Sequence, residues 1–168
     1  MDKYLAVAIG GAAGAVARFW IGMVVGEKFP SRFPYGTLII NVTGSFIIGF
    51  FLTLVTERID IHPNWRYAFA VGFVGAYTTF STFEWETFKL IETGDAFNGL
   101  MNIAISVILG FLAVWGGIAL ARKVDVRMLH LDKGRIVTIV DTAEDHLTVT
   151  SELEAVVEGA EEHKSHRS

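Results

Sequence analysis

The sequence contains no cysteine, which excludes disulfides, thiolate chemistry and cysteine-based metal sites. Charge is nearly missing from four long stretches. Tyr4 to Gly26 is broken only by Arg18, and Tyr35 to Thr56 has no charged residue. Tyr67 to Phe83 has none either, and it continues through Trp85 and Phe88 with Glu84 and Glu86 interspersed. Ala96 to Ala121 is again uncharged. A soluble helix needs a polar face, and these runs show none. Acidic groups are also absent from the first two apolar runs, where a proton-coupled cation exporter normally carries its carboxylate. No His-Glu metal motif, nucleophile elbow or phosphate-binding loop is present, so an intramembrane enzyme has no evident residues to work with.

What remains is apolar and unevenly charged. Of the 32 Asp, Glu, Lys and Arg residues, residues 1–121 hold 15 and residues 122–168 hold 17. The chain therefore divides into an apolar body, residues 1–123, and a polar extension, residues 124–168. The net charge of −4 blends the two and gives no reason to expect nucleic-acid binding. A bilayer core is crossed by about 20 apolar residues in helix, so the four runs predict four transmembrane helices. The connectors carry turn chemistry, with Pro30 and Pro34, then His62-Pro63-Asn64, then Thr93-Gly94-Asp95. A cleaved signal peptide is a poor account of the first run, whose start has only Lys3 as a basic residue and whose apolar stretch glycines interrupt early. Gly10 and Gly14, Gly22 and Gly26, and Gly72 and Ala76 are spaced by four, the pattern of close helix packing in lipid.

Lys3, Arg58, Arg66, Arg122, Lys123 and Arg127 fall on one side, and Lys28, Arg32 and Lys89 on the other. That bias favours a cytoplasmic N-terminus, and it is small enough for insertion in both orientations. In the extension, Arg135–Val140 and His146–Thr150 pattern as two short strands, followed by an acidic, helix-prone stretch from Glu152 to Glu162. His163 and His166, near several carboxylates, read better as a solvated tail than as a metal site.

Polar groups at membrane depth are costly and mark functional positions. Thr37, Asn41 and Ser45 share one face of the second span. Asn41 suits either a pore-lining donor or an interhelical hydrogen bond. The third span carries Gly72-Phe73-Val74-Gly75-Ala76-Tyr77-Thr78-Thr79-Phe80-Ser81-Thr82-Phe83. Threonines beside glycine are poor helix formers, so a break is expected near Gly75–Thr79. Broken backbone at that depth must be buried or line a water-filled cavity. Its freed carbonyls suit a cation, and the positive ring edges of Phe80 and Phe83, three apart on one face, suit a small anion. Arg18 suits a positive vestibule. Glu84 and Glu86 fall only at the far end of the third span. In the fourth, Asn102, Ser106 and Gly110 form a polar or small stripe.

Three of these segments occur together: Gly10-Gly11-Ala12-Ala13-Gly14-Ala15-Val16-Ala17-Arg18-Phe19, Gly36-Thr37-Leu38-Ile39-Ile40-Asn41-Val42-Thr43-Gly44-Ser45-Phe46, and the third-span motif above. In that order the chain resembles the Fluc (CrcB) fluoride channel family over about residues 1–121, the length of four spans. The resemblance implies an all-α membrane protein of four transmembrane helices with a break in the third. It also implies an antiparallel dual-topology dimer with two fluoride pores. Here that body would carry a short polar α+β C-terminal tail. Phe80 and Phe83 correspond to the fluoride-contacting rings, Asn41 to the pore asparagine and Arg18 to the vestibule arginine. Gly75 and Thr78 correspond to the break whose backbone carbonyls hold a structural sodium ion at the dimer interface. Thr37, Ser81 and Thr82 match polar positions of the motif region, and Ser106 is the fourth-span candidate.

The implied function is passive fluoride export across the cell membrane, in a lipid bilayer, with no enzymatic step. An inside-negative potential favours outward passage of an anion by about 2.3 kcal/mol per 100 mV. The tail departs from the family, whose members end soon after the fourth helix. It would have to lie on both sides of an antiparallel homodimer, which makes a heterodimer with a paralogue the other expectation. A small multidrug-type exporter and a membrane structural or adaptor subunit are the alternatives.

Overall fold

The computed structural model describes residues 2–59 and 61–124. The two strands and the acidic helix expected in the tail lie outside the described residues. Within them the chain is helical and has no strand. Asp2 caps α1 (Lys3–Lys28) through its side chain, and α2 spans Tyr35–Glu57. Then come α3 (Pro63–Arg66), a π-helical segment (Tyr67–Val74) and α4 (Gly75–Tyr77). α5 (Phe80–Glu92) and α6 (Ala96–Lys123) complete the order. Three of these, α1, α2 and α6, are each long and apolar enough to cross a membrane. Three such helices in one chain are the mark of a multi-pass membrane protein. The third apolar run becomes an interrupted path rather than one helix. Pro63 opens it at a first-turn position, where its missing N–H costs nothing. The path widens into the π register, stops after Tyr77 and restarts at Phe80. Gly94, at φ 86°, takes the left-handed conformation that ends α5.

α2 packs along α6, α1 packs along the π segment and α4, and α5 leans on α6. Small residues make these approaches possible. A Cβ on Gly10 would lie 1.8 Å from the Ala68 carbonyl oxygen, and one on Gly14 would lie 2.2 Å from that of Phe73. Gly72 returns the contact, with Val7 O at 2.6 Å from its hypothetical Cβ. At the α2–α6 seam, a Cβ on Gly117 would meet the Phe46 carbonyl at 2.3 Å. The Gly22–Gly26 pair departs from this pattern. A Cβ on Gly22 would meet only an Ile40 methyl, at 4.0 Å, although Gly36 of α2 faces its backbone, and a Cβ on Gly26 would meet nothing within 4 Å. That end of α1 borders a cavity instead.

Backbone carbonyls cannot swing aside as side chains do. Gly14→Leu is therefore expected to destabilise the fold by more than about 3 kcal/mol, the upper end for overpacking. Gly26→Ala is expected to leave it intact. Yields of monodisperse protein in mild detergent check both, and a normal yield of the Gly14 variant would contradict the α1 packing.

At the ends of α2 and α6, Arg122 grips the Glu57 carboxylate through Nε at 3.1 Å and Nη2 at 2.9 Å. Arg58 donates to the Arg122 carbonyl in the same cluster. These basic groups at the C-terminal ends of both helices also suit their dipoles.

Candidate functional site: a broken helix between two cavities

The break after Tyr77 is where the expected residues meet. Thr78 and Thr79 are extended, at φ −79°, ψ 158° and φ −149°, ψ 119°. A continuous helix would send the Thr79 N–H to the Gly75 carbonyl. Here it donates to Asn41 Oδ1 at 2.9 Å, and Asn41 Nδ2 donates to the Thr79 carbonyl at 2.9 Å. The Asn41 amide thus acts as a peptide group supplied by α2 and satisfies both backbone groups of Thr79. This answers the demand that irregular backbone in lipid find partners. One Nδ2 hydrogen is used in this way. An amide carries two, so the second stays available. The interhelical hydrogen bond expected of Asn41 is present as the brace of the break, and the residue also lines a cavity.

Neighbouring contacts hold the break in place. Thr79 caps α5, its Oγ1 accepting from the Thr82 N–H at 3.3 Å and donating to Thr82 Oγ1 at 3.0 Å. Thr78 Oγ1 donates back to the Val74 carbonyl at 3.0 Å. The buried Tyr77 hydroxyl meets Thr43 Oγ1 at 2.7 Å. Gly44 gives this region room, since a Cβ there would lie 2.2 Å from the Thr78 methyl.

Two cavities flank Thr79. The first, of about 670 Å³, is lined by Arg18, Thr37, Thr79, Thr82 and Glu86, with the Phe29–Gly36 connector at its mouth. The second, of about 440 Å³, is lined by Asn41, Ser45, Gly75, Thr78, Thr79, Phe80, Phe83 and Ser106. The rings of Phe80 and Phe83 are tilted 39° to each other, with centroids 5.8 Å apart. Phe80 is 70% exposed, so the groove it borders is open along one side.

Most of the expected residues are thus assembled, though in two groups. Arg18, Thr37 and Thr82 share the first cavity, while Asn41, Phe80, Phe83, Ser106, Gly75 and Thr78 share the second. The Ser81 side chain is exposed and lines neither. Its position is the first turn of α5, where backbone N–H groups and the helix dipole favour anions.

Glu86 was missed as a site residue. It lies in the first cavity with Arg18, and its Oε2 is buried without a hydrogen-bond partner. No ion pair joins it to Arg18 among the described residues. Its position was legible after all: Thr79, Thr82 and Glu86 follow the spacing that puts residues on one helix face.

Comparison with known proteins covers this whole assembly. The family model described as CrcB-like protein, Camphor Resistance (CrcB) matches residues 5–118, which include every residue of the two cavities named above. The fluoride-specific ion channel FluC of Solibacter usitatus is 50% identical over 121 residues, covering 72% of this chain and 99% of that protein. Its counterpart in Acidobacterium capsulatum is 48% identical over 122 residues, covering 73% and 98%. That of a Sulfurihydrogenibium strain is 46% identical over 122 residues, covering 73% and 98%. With a family model spanning well over half its length and relatives of this identity matched almost end to end, the chain belongs to the CrcB family.

Proposed function

We propose that this protein is a fluoride-selective channel of the cell membrane, passing the anion passively and lowering its cytoplasmic concentration, and that it is not an enzyme. The observation that carries the reading is the groove beside the break. There Phe80 and Phe83 share a cavity with the amide of Asn41 and the hydroxyl of Ser106. Fluoride is small and strongly hydrated, so a pathway must replace water with fixed donors. Ring edges, an amide and hydroxyls do this without a fixed cation that would hold the ion. The names of the relatives point to the same ion. Arg18 in the adjoining cavity supplies a positive approach.

The reading extends to assembly. The exposed side of the groove and the interrupted backbone both need cover in lipid, and a second copy supplies it. An antiparallel pair of four-span protomers fits the weak charge bias, and a paralogous partner is the variant that spares one tail from translocation. Gly75 and Thr78 are the candidates for a structural sodium ion. The Gly75 carbonyl has lost the α-helical donor that Asn41 took over, and hard carbonyl oxygens suit such a cation. A bound sodium would hold the freed backbone carbonyls of the break together. Replacing sodium with N-methylglucamine is expected to shift the purified protein from dimer toward monomer in light scattering. An unchanged dimer would remove the sodium assignment.

The function itself is tested by efflux from liposomes loaded with fluoride or chloride and holding the purified protein. Fluoride release without chloride release supports the channel. Intact vesicles with well-folded protein and no fluoride release would sink it, in favour of a structural or adaptor subunit.

A further inference from the structure

Asn102 is the largest side chain in the described fold that is sealed almost completely, at 1% exposure, and it is polar. It touches neither cavity. Its hydrogen bonds nevertheless run to both walls of the groove. Ser106 Oγ donates to Asn102 Oδ1 at 3.4 Å, and Asn102 Nδ2 donates to Thr87 Oγ1 at 2.8 Å. Thr87 Oγ1 in turn donates to the Phe83 carbonyl at 2.7 Å. The Thr87 proton is committed to that carbonyl, so its oxygen is left to accept from Asn102. The chain therefore runs in one direction from the α6 wall residue Ser106 to the backbone of the α5 ring residue Phe83.

Backbone geometry was arranged to let this contact form. Gly99, one turn before Asn102, lies where a Cβ would be 2.6 Å from Ile91 Cγ1 and 3.3 Å from the Thr87 carbonyl oxygen. A larger residue there would push α5 and α6 apart and take Thr87 out of reach. α5 has otherwise little to fix its rotation, because it begins at a break and leans chiefly on α6. It is gripped by an amide at each of two points: Asn41 at Thr79, and Asn102 at Thr87. These lie about 12 Å apart along the helix at 1.5 Å per residue. Phe80 and Phe83 sit between them.

We infer that Asn102 is a positioning residue for anion selection: acting through Thr87, it sets the rotation of α5 that turns the rings of Phe80 and Phe83 into the groove, and it fixes Ser106 opposite them. This rests on the fluoride-channel reading above. The ring edges favour an anion only over a narrow range of tilt. Loss of the Asn102 bond then relaxes selectivity and slows conduction, while the helices remain packed through their apolar faces.

The test uses the full-length protein in liposomes, with fluoride and chloride efflux measured in parallel for Asn102→Leu, Thr87→Val, the double variant and Thr87→Ser. The first two keep the branched shape of the side chain and remove its hydrogen-bonding groups. Each is expected to slow fluoride efflux about tenfold, the scale of one buried hydrogen bond, and to narrow the fluoride-to-chloride ratio. The double variant should lose no more than either single, because the pair acts as one link. Thr87→Ser retains the hydroxyl and should recover the ratio. A purely structural Asn102 would lower thermal stability and leave the ratio of the surviving protein unchanged, and that result overturns the inference. Losses that multiply in the double variant overturn it too. If Asn102→Leu does not fold, the Thr87→Val and Thr87→Ser pair decides alone. Wild-type protein without fluoride efflux would instead fail the channel reading itself, an outcome distinct from unchanged selectivity in the variants.

Discussion

Replacing Phe80 or Phe83 by isoleucine is expected to cut fluoride efflux by at least about 100-fold, near 2.7 kcal/mol at 1.36 kcal/mol per decade. Isoleucine keeps much of the apolar bulk and removes the ring. What is lost is the positive edge that meets an anion, so the loss reads that edge and not packing. Phe80 makes this separation cleaner, because it is exposed and contributes little to the core. Its variant should give normal yields and a normal melting profile. Phe83 is only partly exposed and its carbonyl anchors Thr87, so its variant carries a modest stability cost as well. Efflux from liposomes together with thermal melting in detergent checks both. An isoleucine variant that conducts at the wild-type rate would mean that the rings merely fill space beside the ion.

Asn41 supports a second large effect, and two substitutions separate its roles. Asn41→Leu leaves the Thr79 N–H and carbonyl without partners. Two such orphaned groups cost about 2–6 kcal/mol, enough to reduce folded yield sharply. Asn41→Asp keeps an acceptor for the Thr79 N–H, loses the donor to the carbonyl, and places a carboxylate at the groove. That variant is expected to fold. Its fluoride efflux should fall by about two orders of magnitude, since a fixed like charge repels the permeating anion. Wild-type efflux in the aspartate variant would place the ion path elsewhere and leave Asn41 a brace alone.

The sequence was most informative where physics leaves few options. Uncharged runs of bilayer length have one sensible reading, and α1, α2 and α6 follow it. The third run announced its break through Gly75, Thr78 and Thr79, because glycine and β-branched residues resist helix there. Partners across elements were the illegible part. Asn41 stood out as a polar residue, but that its amide would close onto Thr79, 38 residues away, depends on how α2 meets the break. Asn102 was visible as part of a stripe, and its tie to Thr87 follows from the approach that Gly99 permits. Glu86 looked peripheral because a charge near the end of an apolar run suggests a helix terminus. Its spacing from Thr79 and Thr82 instead turns it into the cavity of Arg18. Glycine spacing by itself said too much at Gly26, where nothing lies near a hypothetical Cβ, while Gly22 does face Gly36 of α2.

The two cavities meet at Thr79, a residue whose backbone is held by α2 and whose side chain caps α5. An anion drawn in by Arg18 would therefore meet the start of a helix and then the rings. In the proposed reading, selectivity comes from the neutral donors of the groove beside Phe80 and Phe83, and flux is not coupled to a second ion. The reversal potential of a planar bilayer containing the protein tests that claim most directly, with fluoride on one side and chloride on the other. The account predicts a current that reverses at a voltage set by the fluoride gradient and is indifferent to a pH gradient. Reversal that tracks chloride, or a current that moves with the pH gradient, would contradict it.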